Sequence, residues 1–150
     1  MASGDLGAYN IEDLRQMAKK RLPRGIFEYV DRGAEDEIAL QHNRDVYRSL
    51  KLRNRVMVDV SKRTTETEIF GQKFAMPYGI SPTASAGLMS EGGEVGLAQA
   101  AARMGVPCTA ATNSLTPVEA LYDAGEGNIW FQLYMWKDLA LRAAFVERIK

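Results

Sequence analysis

Tyr78-Gly79-Ile80-Ser81-Pro82-Thr83-Ala84, Cys108-Thr109-Ala110-Ala111-Thr112 and Ile129-Trp130-Phe131-Gln132-Leu133-Tyr134 are three short apolar stretches, each running into a polar turn and then a helical pattern. Strand–helix units repeated in this way are how a parallel sheet is written in sequence. In such sheets ligands gather at the carboxyl ends of the strands. Those ends carry Thr83, Thr112, Gln132 and Tyr134, polar groups standing where apolar packing gives way to loop.

Between and beyond the strands the helices are signalled locally. Ser90 is the expected cap of the first, whose Val95, Ala98 and Ala102 share a face, and Gly105 is its expected end. Thr116-Pro117-Val118-Glu119 reads as a capping box with proline at the first helical position. Gly125 and Gly127 turn the chain into the third strand, and Asp138 opens a helix with Leu141, Phe145 and Ile149 four apart.

Upstream, Asn10 caps a helix carrying Ile11, Leu14, Met17 and Ala18, with Asp13 placed to answer it. Pro23 closes that helix and opens a second, with Phe27 and Val30 on its buried side and Gly33 as its stop. Residues 34–50 read as a third, more polar helix with Ile38, Val46 and Leu50 inward. Val56, Val58 and Val60 alternate with Met57 and Asp59, suggesting extended chain. Residues 64–74, broken at Gly71, read as a small hairpin, a plug or collar ahead of the main sheet.

The bulk numbers fit one globular domain. The chain has 150 residues, 46% of them apolar, and 19 charges of each sign. That balance argues against a nucleic-acid or membrane surface held by bulk electrostatics. Cys108 stands alone, so neither a disulfide framework nor a cysteine zinc site can form within one chain, and a reducing, cytoplasmic setting is expected. Residues 1–7 show no signal-peptide pattern, and no stretch approaches the roughly 18 apolar residues of a membrane span.

Several tempting motifs read as structure. Gly92-Gly93-Glu94-Val95-Gly96 lacks the order of a dinucleotide loop and reads as a tolerant helix start. His42, the only histidine, sits on a polar helix and reads as solvated. Cys108, just inside a strand, reads as a buried inert thiol. Glu35-Asp36-Glu37 are consecutive near a helix start, where acids complement the dipole, so no metal site is expected there or elsewhere. The strand ends differ. Ser81-Pro82-Thr83-Ala84 leaves backbone groups outside any helical ladder, and Ala84 is small enough for a flat heterocycle to lie against it. Gln132 suits an imide-like edge, and Tyr134 falls on the same side of its strand. On chemistry alone, a ligand site and ordinary strand-end packing both stand.

Further residues carry a resemblance. Leu22-Pro23, Phe27-Glu28-Tyr29, Gly33-Ala34-Glu35-Asp36-Glu37, Asn43-Arg44, Met76-Pro77, Pro82-Thr83-Ala84, Glu91-Gly92 and Trp130-Phe131-Gln132-Leu133-Tyr134 occur in that order. They resemble the amino-terminal part of the FMN-dependent α-hydroxy acid dehydrogenases and oxidases, a group that includes glycolate oxidase, (S)-mandelate dehydrogenase and lactate-oxidising enzymes. The resemblance runs from about Tyr9 to Lys150.

It implies a TIM barrel binding FMN at its carboxyl-end mouth and oxidising an (S)-2-hydroxy acid to a 2-keto acid. Pro82, Thr83 and Ala84 are then expected along the flavin through backbone contacts, Thr112 at the hydroxyl position ending the second strand, and Gln132 on the flavin's pyrimidine edge. Tyr29 is expected on the substrate carboxylate and Tyr134, the catalytic candidate, on its hydroxyl side. The catalytic histidine, an arginine, a lysine and the phosphate-binding residues of relatives have no counterpart here, and His42 falls at an unmatched position.

A closed barrel needs eight strands and about 250 residues. The expectation is therefore an α/β fold comprising an incomplete TIM barrel. Residues 1–76 are expected to form a helical segment and collar, and residues 77–150 the first three βα units. As a fragment it is expected to be inactive alone; the intact protein is expected to be a homo-oligomer, with membrane association open to it. Two rivals are a non-catalytic flavin-binding or small-molecule-binding half-barrel and another FMN barrel such as an isopentenyl-diphosphate isomerase. The Tyr29 segment and Gln132-Leu133-Tyr134 favour the hydroxy acid group.

Overall fold

A computed structural model describes residues 7–149. The chain divides into two compact units, one reaching to Asp59 and the other starting at Val60. The hairpin thus groups with the later βα units by compactness, whereas the sequence reading sets its division at 76/77.

In the first unit α1 (Ile11–Arg21) starts as its sequence asks. The Asn10 side chain accepts from the Asp13 N–H at 2.9 Å. Asp13 answers one residue earlier than expected, accepting from the Tyr9 N–H at 2.9 Å. Pro23 is the N-cap of α2 (Arg24–Asp31), one position outside the helix it was expected to open. Arg15 of α1 grips Asp31 of α2 with two guanidinium N–H groups, Nη2 to Oδ2 at 2.7 Å, and that bond holds the Asp31 carboxyl below its usual range.

The third helix corrects the sequence reading. α3 runs Ile38–Ser49, starting four residues late, because Glu37 takes a left-handed backbone (φ 60°) that no helix can incorporate. The Glu37 carboxylate instead accepts from the Gly33 N–H at 3.2 Å. Ile38, Val46 and Leu50, expected inward, are 75%, 43% and 66% exposed. Among the described residues of this unit Phe27 alone is buried, so three short helices give those side chains no core to enter. Residues 52–60 are exposed and irregular rather than a strand.

The second unit opens with the expected hairpin, β1 (Thr67–Ile69) paired antiparallel with β2 (Gln72–Phe74). Its two-residue turn has positive φ at both Phe70 (53°) and Gly71 (76°), the geometry of a type I′ turn. Phe70 and Phe74 then meet Trp130 edge-to-face, at ring separations of 5.7 and 6.0 Å.

The main sheet is parallel. β3 (Cys108–Ala111) pairs with β4 (Ile129–Gln132) in the register Cys108↔Ile129 through Ala111↔Gln132. The first apolar stretch contributes less than expected: only Ile80 pairs, donating to the Pro107 carbonyl and accepting from the Thr109 N–H, each at 2.9 Å. Pro82, which has no N–H, cannot carry the ladder further. Gly79 upstream lies so close to Pro107 that a Cβ would meet its ring at 3.2 Å. Among the described residues β4 pairs along one edge only.

Helices cover one face of this sheet. They are α4 (Gly93–Met104), α5 (Val118–Ala124) and α6 (Leu139–Ile149). Strand alternation sends Cys108 and Ala110 into a cluster with Ala98, Ala101, Val106 and Leu121, where small residues let α4 approach the sheet closely. Phe131 meets Phe145 of α6 at 5.2 Å. Asp138 caps α6, its Oδ1 accepting from Ala140 and Leu141 at 2.9 and 3.0 Å.

Two expected caps are not formed. Gly92 (φ 80°), not Ser90, precedes α4, after a 3-10 turn at Ala86–Leu88. Pro117, not Thr116, is the N-cap of α5, and the Thr116 hydroxyl is engaged elsewhere.

Gly105 does end α4. At φ 65° it donates to the Ala102 carbonyl at 3.0 Å while Val106 donates to Ala101 at 3.1 Å, the paired bonds of a Schellman motif. A Cβ there would also stand 3.1 Å from that of Ala75. Gly105→Ala is therefore expected to cost about 1–2 kcal/mol, read as a lower urea midpoint with unchanged slope.

Candidate functional site

The carboxyl ends of β3 and β4 are tied together by one hydroxyl. Thr112 Oγ1 donates to the Gln132 carbonyl and accepts from the Tyr134 N–H at 3.0 Å. The Thr112 N–H donates to Gln132 Oε1 at 3.3 Å. Thr112 thus forms one hydrogen-bonded group with Gln132 and Tyr134, 20 and 22 residues later, at the last paired residues, Ala111 and Gln132. Gln132 is half-buried and Tyr134 is 59% exposed, so the group sits at the rim of the sheet.

The end of the first stretch lies alongside. Thr83 lines the same small cavity as Thr109 and Ala111 of β3. The Thr83 hydroxyl donates to the Ser81 carbonyl at 3.3 Å, keeping the chain in an open turn. Among the described residues, no hydrogen bond engages the backbone N–H of Thr83 or Ala84. Pro82 and Thr83 are exposed and Ala84 is half-buried, so a planar group can approach this backbone. Tyr29 belongs to the first unit, on α2, and is 67% exposed.

The donor set suits a flat heterocycle with an imide edge. Gln132 Oε1 is held by Thr112, which orients the carboxamide, while its Nε2 donors meet no partner among the described residues. The strand-end turn offers free amide N–H groups beside a small Ala84 side chain. These are the features a flavin requires, and the residues present fit it.

Sequence reasoning missed Glu94. It stands in the first turn of α4 yet is only 6% exposed. Oε1 accepts from the backbone N–H groups of Ala86 and Leu115, both at 3.1 Å, and Oε2 from the Thr116 hydroxyl at 3.4 Å. Burial pushes its carboxyl up, but the hydrogen bonds, that from Leu115 foremost, outweigh burial and hold it below the ordinary range. In sequence an acid in a first turn looks like a dipole complement; only burial sets this one apart. Cys108 is buried and burial pushes its thiol up, leaving it protonated and inert. His42 is exposed on α3. Among the described residues no cluster of His, Cys, Asp and Glu could hold a metal ion.

Residues 18–150 match the family model described as FMN-dependent dehydrogenase. The chain belongs to the FMN-dependent dehydrogenase family. It is 39% identical to an (S)-mandelate dehydrogenase of Pseudomonas putida over 127 residues, 85% of this chain and 32% of that protein. It is 41% identical to an L-lactate dehydrogenase of Vibrio parahaemolyticus over 138 residues, 92% of this chain and 36% of that one. The crystal structure of a soluble mutant of the membrane-associated (S)-mandelate dehydrogenase from Pseudomonas putida superposes with a TM-score of 0.85 and 36% identity, covering 94% of this chain and 40% of that one. The chain therefore spans about a third of the length of these relatives. Its α/β arrangement, with β3 and β4 parallel, superposes on that solved structure over 94% of the chain.

In this FMN-dependent dehydrogenase chain, Thr112→Val leaves the Tyr134 N–H without its acceptor and the Gln132 backbone carbonyl without its hydroxyl donor. The expected cost is about 1–3 kcal/mol in denaturant unfolding, with Thr112→Ser close to wild type. A second expectation concerns acid. Because the Glu94 carboxyl is held down in the fold, its contribution is present above its unfolded value and lost as pH falls through the lower folded one. An acid-unfolding titration of Glu94→Gln should accordingly show a shallower loss of stability below pH about 4.5 than wild type.

Proposed function

We propose that this chain contributes the first three βα units, still open as a sheet, to a TIM barrel that binds FMN and oxidises a small (S)-2-hydroxy acid to the 2-keto acid. The observation that carries the reading is the hydrogen-bonded group Thr112–Gln132–Tyr134 at adjacent parallel strand ends, in a chain matching the family over residues 18–150. Ligands in parallel α/β folds bind at those ends.

Bound FMN supplies the acceptor for the two electrons leaving the substrate carbon. The backbone of Pro82, Thr83 and Ala84 lies along the flavin, and Thr83 and Ala84 offer the N–H groups noted above. Gln132, oriented by the Thr112 N–H, presents Nε2 to the pyrimidine edge. Thr112 itself holds the two strand ends at fixed spacing. Tyr134, whose backbone is anchored on the Thr112 hydroxyl, directs its phenol at the substrate's hydroxyl side. Tyr29 donates to the substrate carboxylate.

No residue here takes the base's role, for His42 is exposed on α3 and unmatched to the family's pattern. The base, the carboxylate-clamping arginine and the phosphate site belong to barrel units beyond these three, so residues 1–150 alone are inactive. The assembled enzyme is a cytoplasmic homo-oligomer. No helix among the described residues is long and apolar enough to cross a membrane. The (S)-mandelate dehydrogenase of Pseudomonas putida is membrane-associated, and attachment of that kind would reside in other segments.

The test joins residues 1–150 to the remaining barrel of Pseudomonas putida (S)-mandelate dehydrogenase. The chimera should be yellow and should reduce a dye acceptor with (S)-mandelate, while residues 1–150 alone should be colourless and should not reduce the dye. Gln132→Leu in the chimera should weaken FMN binding about tenfold, the loss of one buried hydrogen bond to a ligand. A folded chimera that takes up no FMN would overturn the reading, as would wild-type affinity in Gln132→Leu.

A further inference from the structure

We propose that Glu94 is a positioning residue whose buried carboxylate joins the turn after Pro82-Thr83-Ala84 to the loop after Thr112, setting the spacing of the two segments that flank the flavin. The inference rests on the FMN reading above and adds to it a residue that touches neither flavin nor substrate.

Three observations support it. The first is reach. Ala86, which donates to Oε1, lies two residues past Ala84, and Leu115, which donates to the same oxygen, lies three past Thr112. One oxygen therefore accepts from both loops at 3.1 Å, and a change in either loop is felt by the other.

The second is the scarcity of other polar anchors. The Leu115 side chain is 59% exposed and only its Cδ1 lies over Gly87, so apolar burial contributes little to holding that loop. Its remaining bonds are internal, from Ser114 to the Ala111 carbonyl at 3.0 Å and from Thr116 to the Ser114 hydroxyl at 3.2 Å. The ties from this loop to α4 are those that end on Glu94.

The third is that the seat is built for close approach. A Cβ on Gly93 would meet the Gly87 backbone nitrogen at 2.4 Å, so the start of α4 packs directly on the 3-10 turn. Only glycine permits that contact, and Gly93 also has a positive φ of 33°. The next residue, Glu94, is thereby placed beneath both loops. A buried carboxylate there must have its lone pairs used, and three donors use them.

The chimera described above serves as the test protein, with Glu94→Ala and Glu94→Gln. Glutamine keeps one oxygen for the Ala86 and Leu115 N–H groups, and the Thr116 hydroxyl can reverse its role to accept from the new amide. Glu94→Ala should weaken FMN binding about tenfold or more, because both loops lose their shared acceptor. It should also alter the visible circular dichroism of the bound flavin and speed amide exchange at Ala86 and Leu115. Glu94→Gln should stay within roughly threefold of wild-type affinity at neutral pH, with wild-type flavin dichroism.

Wild-type flavin affinity and dichroism in soluble Glu94→Ala would overturn the proposal. Unchanged exchange at Ala86 and Leu115 would do the same. Insolubility of both variants would also overturn it, assigning Glu94 to folding and not to loop position. Failure of the parent chimera to bind FMN is separate: it removes the flavin reading, and the two amides' exchange then decides whether Glu94 joins the loops.

Discussion

Parallel strands present their ends as loose backbone, and something must register one loop against the next before a rim can bind anything. Here two polar side chains do that from opposite directions. Thr112 joins the ends of β3 and β4 from within the sheet, its hydroxyl both donating and accepting. Glu94 joins the loop beyond β3 to the turn after the first strand from the helix layer below. Neutral and charged hydrogen bonds are being used for the same purpose, and the charged acceptor takes the buried position where an acid is most costly to leave unpaired.

The packing underneath makes these short reaches possible. Ala98 and Ala101 on α4 face Cys108 and Ala110 on β3, so helix and sheet approach closely. Gly93 lies against the Gly87 backbone for the same reason. Larger residues at these positions would lift the helix and draw the Glu94 oxygens out of range. On β4, Phe70 and Phe74 close on Trp130, two residues before Gln132, so the hairpin covers apolar strand surface ahead of the polar rim.

Local signals were legible where a single residue carried the physics. Asn10 and Asp138 are caps because their short side chains reach first-turn N–H groups. Gly105 ends α4 because only glycine adopts its backbone without strain. Other signals were outvoted. Thr116 had the sequence of a capping box, but its hydroxyl found a buried carboxylate instead of a helix N–H. The acids before Ile38 looked helical, yet Glu37 turns left-handed and its carboxylate reaches back to Gly33. In both cases a competing hydrogen bond, distant for Thr116 and within one turn for Glu37, displaced the helical preference.

From residues alone came the parallel α/β class, the hairpin, the positions of β3 and β4 and the polar groups at the strand ends, because strand alternation, turn glycines and caps are short-range effects written in adjacent positions. The family, too, was readable in motifs spaced along the chain, and the match over residues 18–150 bears it out. Tertiary structure alone decided that the first strand shrinks to one pairing at Ile80, that Thr112 bridges to Gln132 and Tyr134, and that Glu94 is buried. Those outcomes depend on groups some 20 residues apart meeting at about 3 Å, and no local pattern encodes which distant donor a side chain will find.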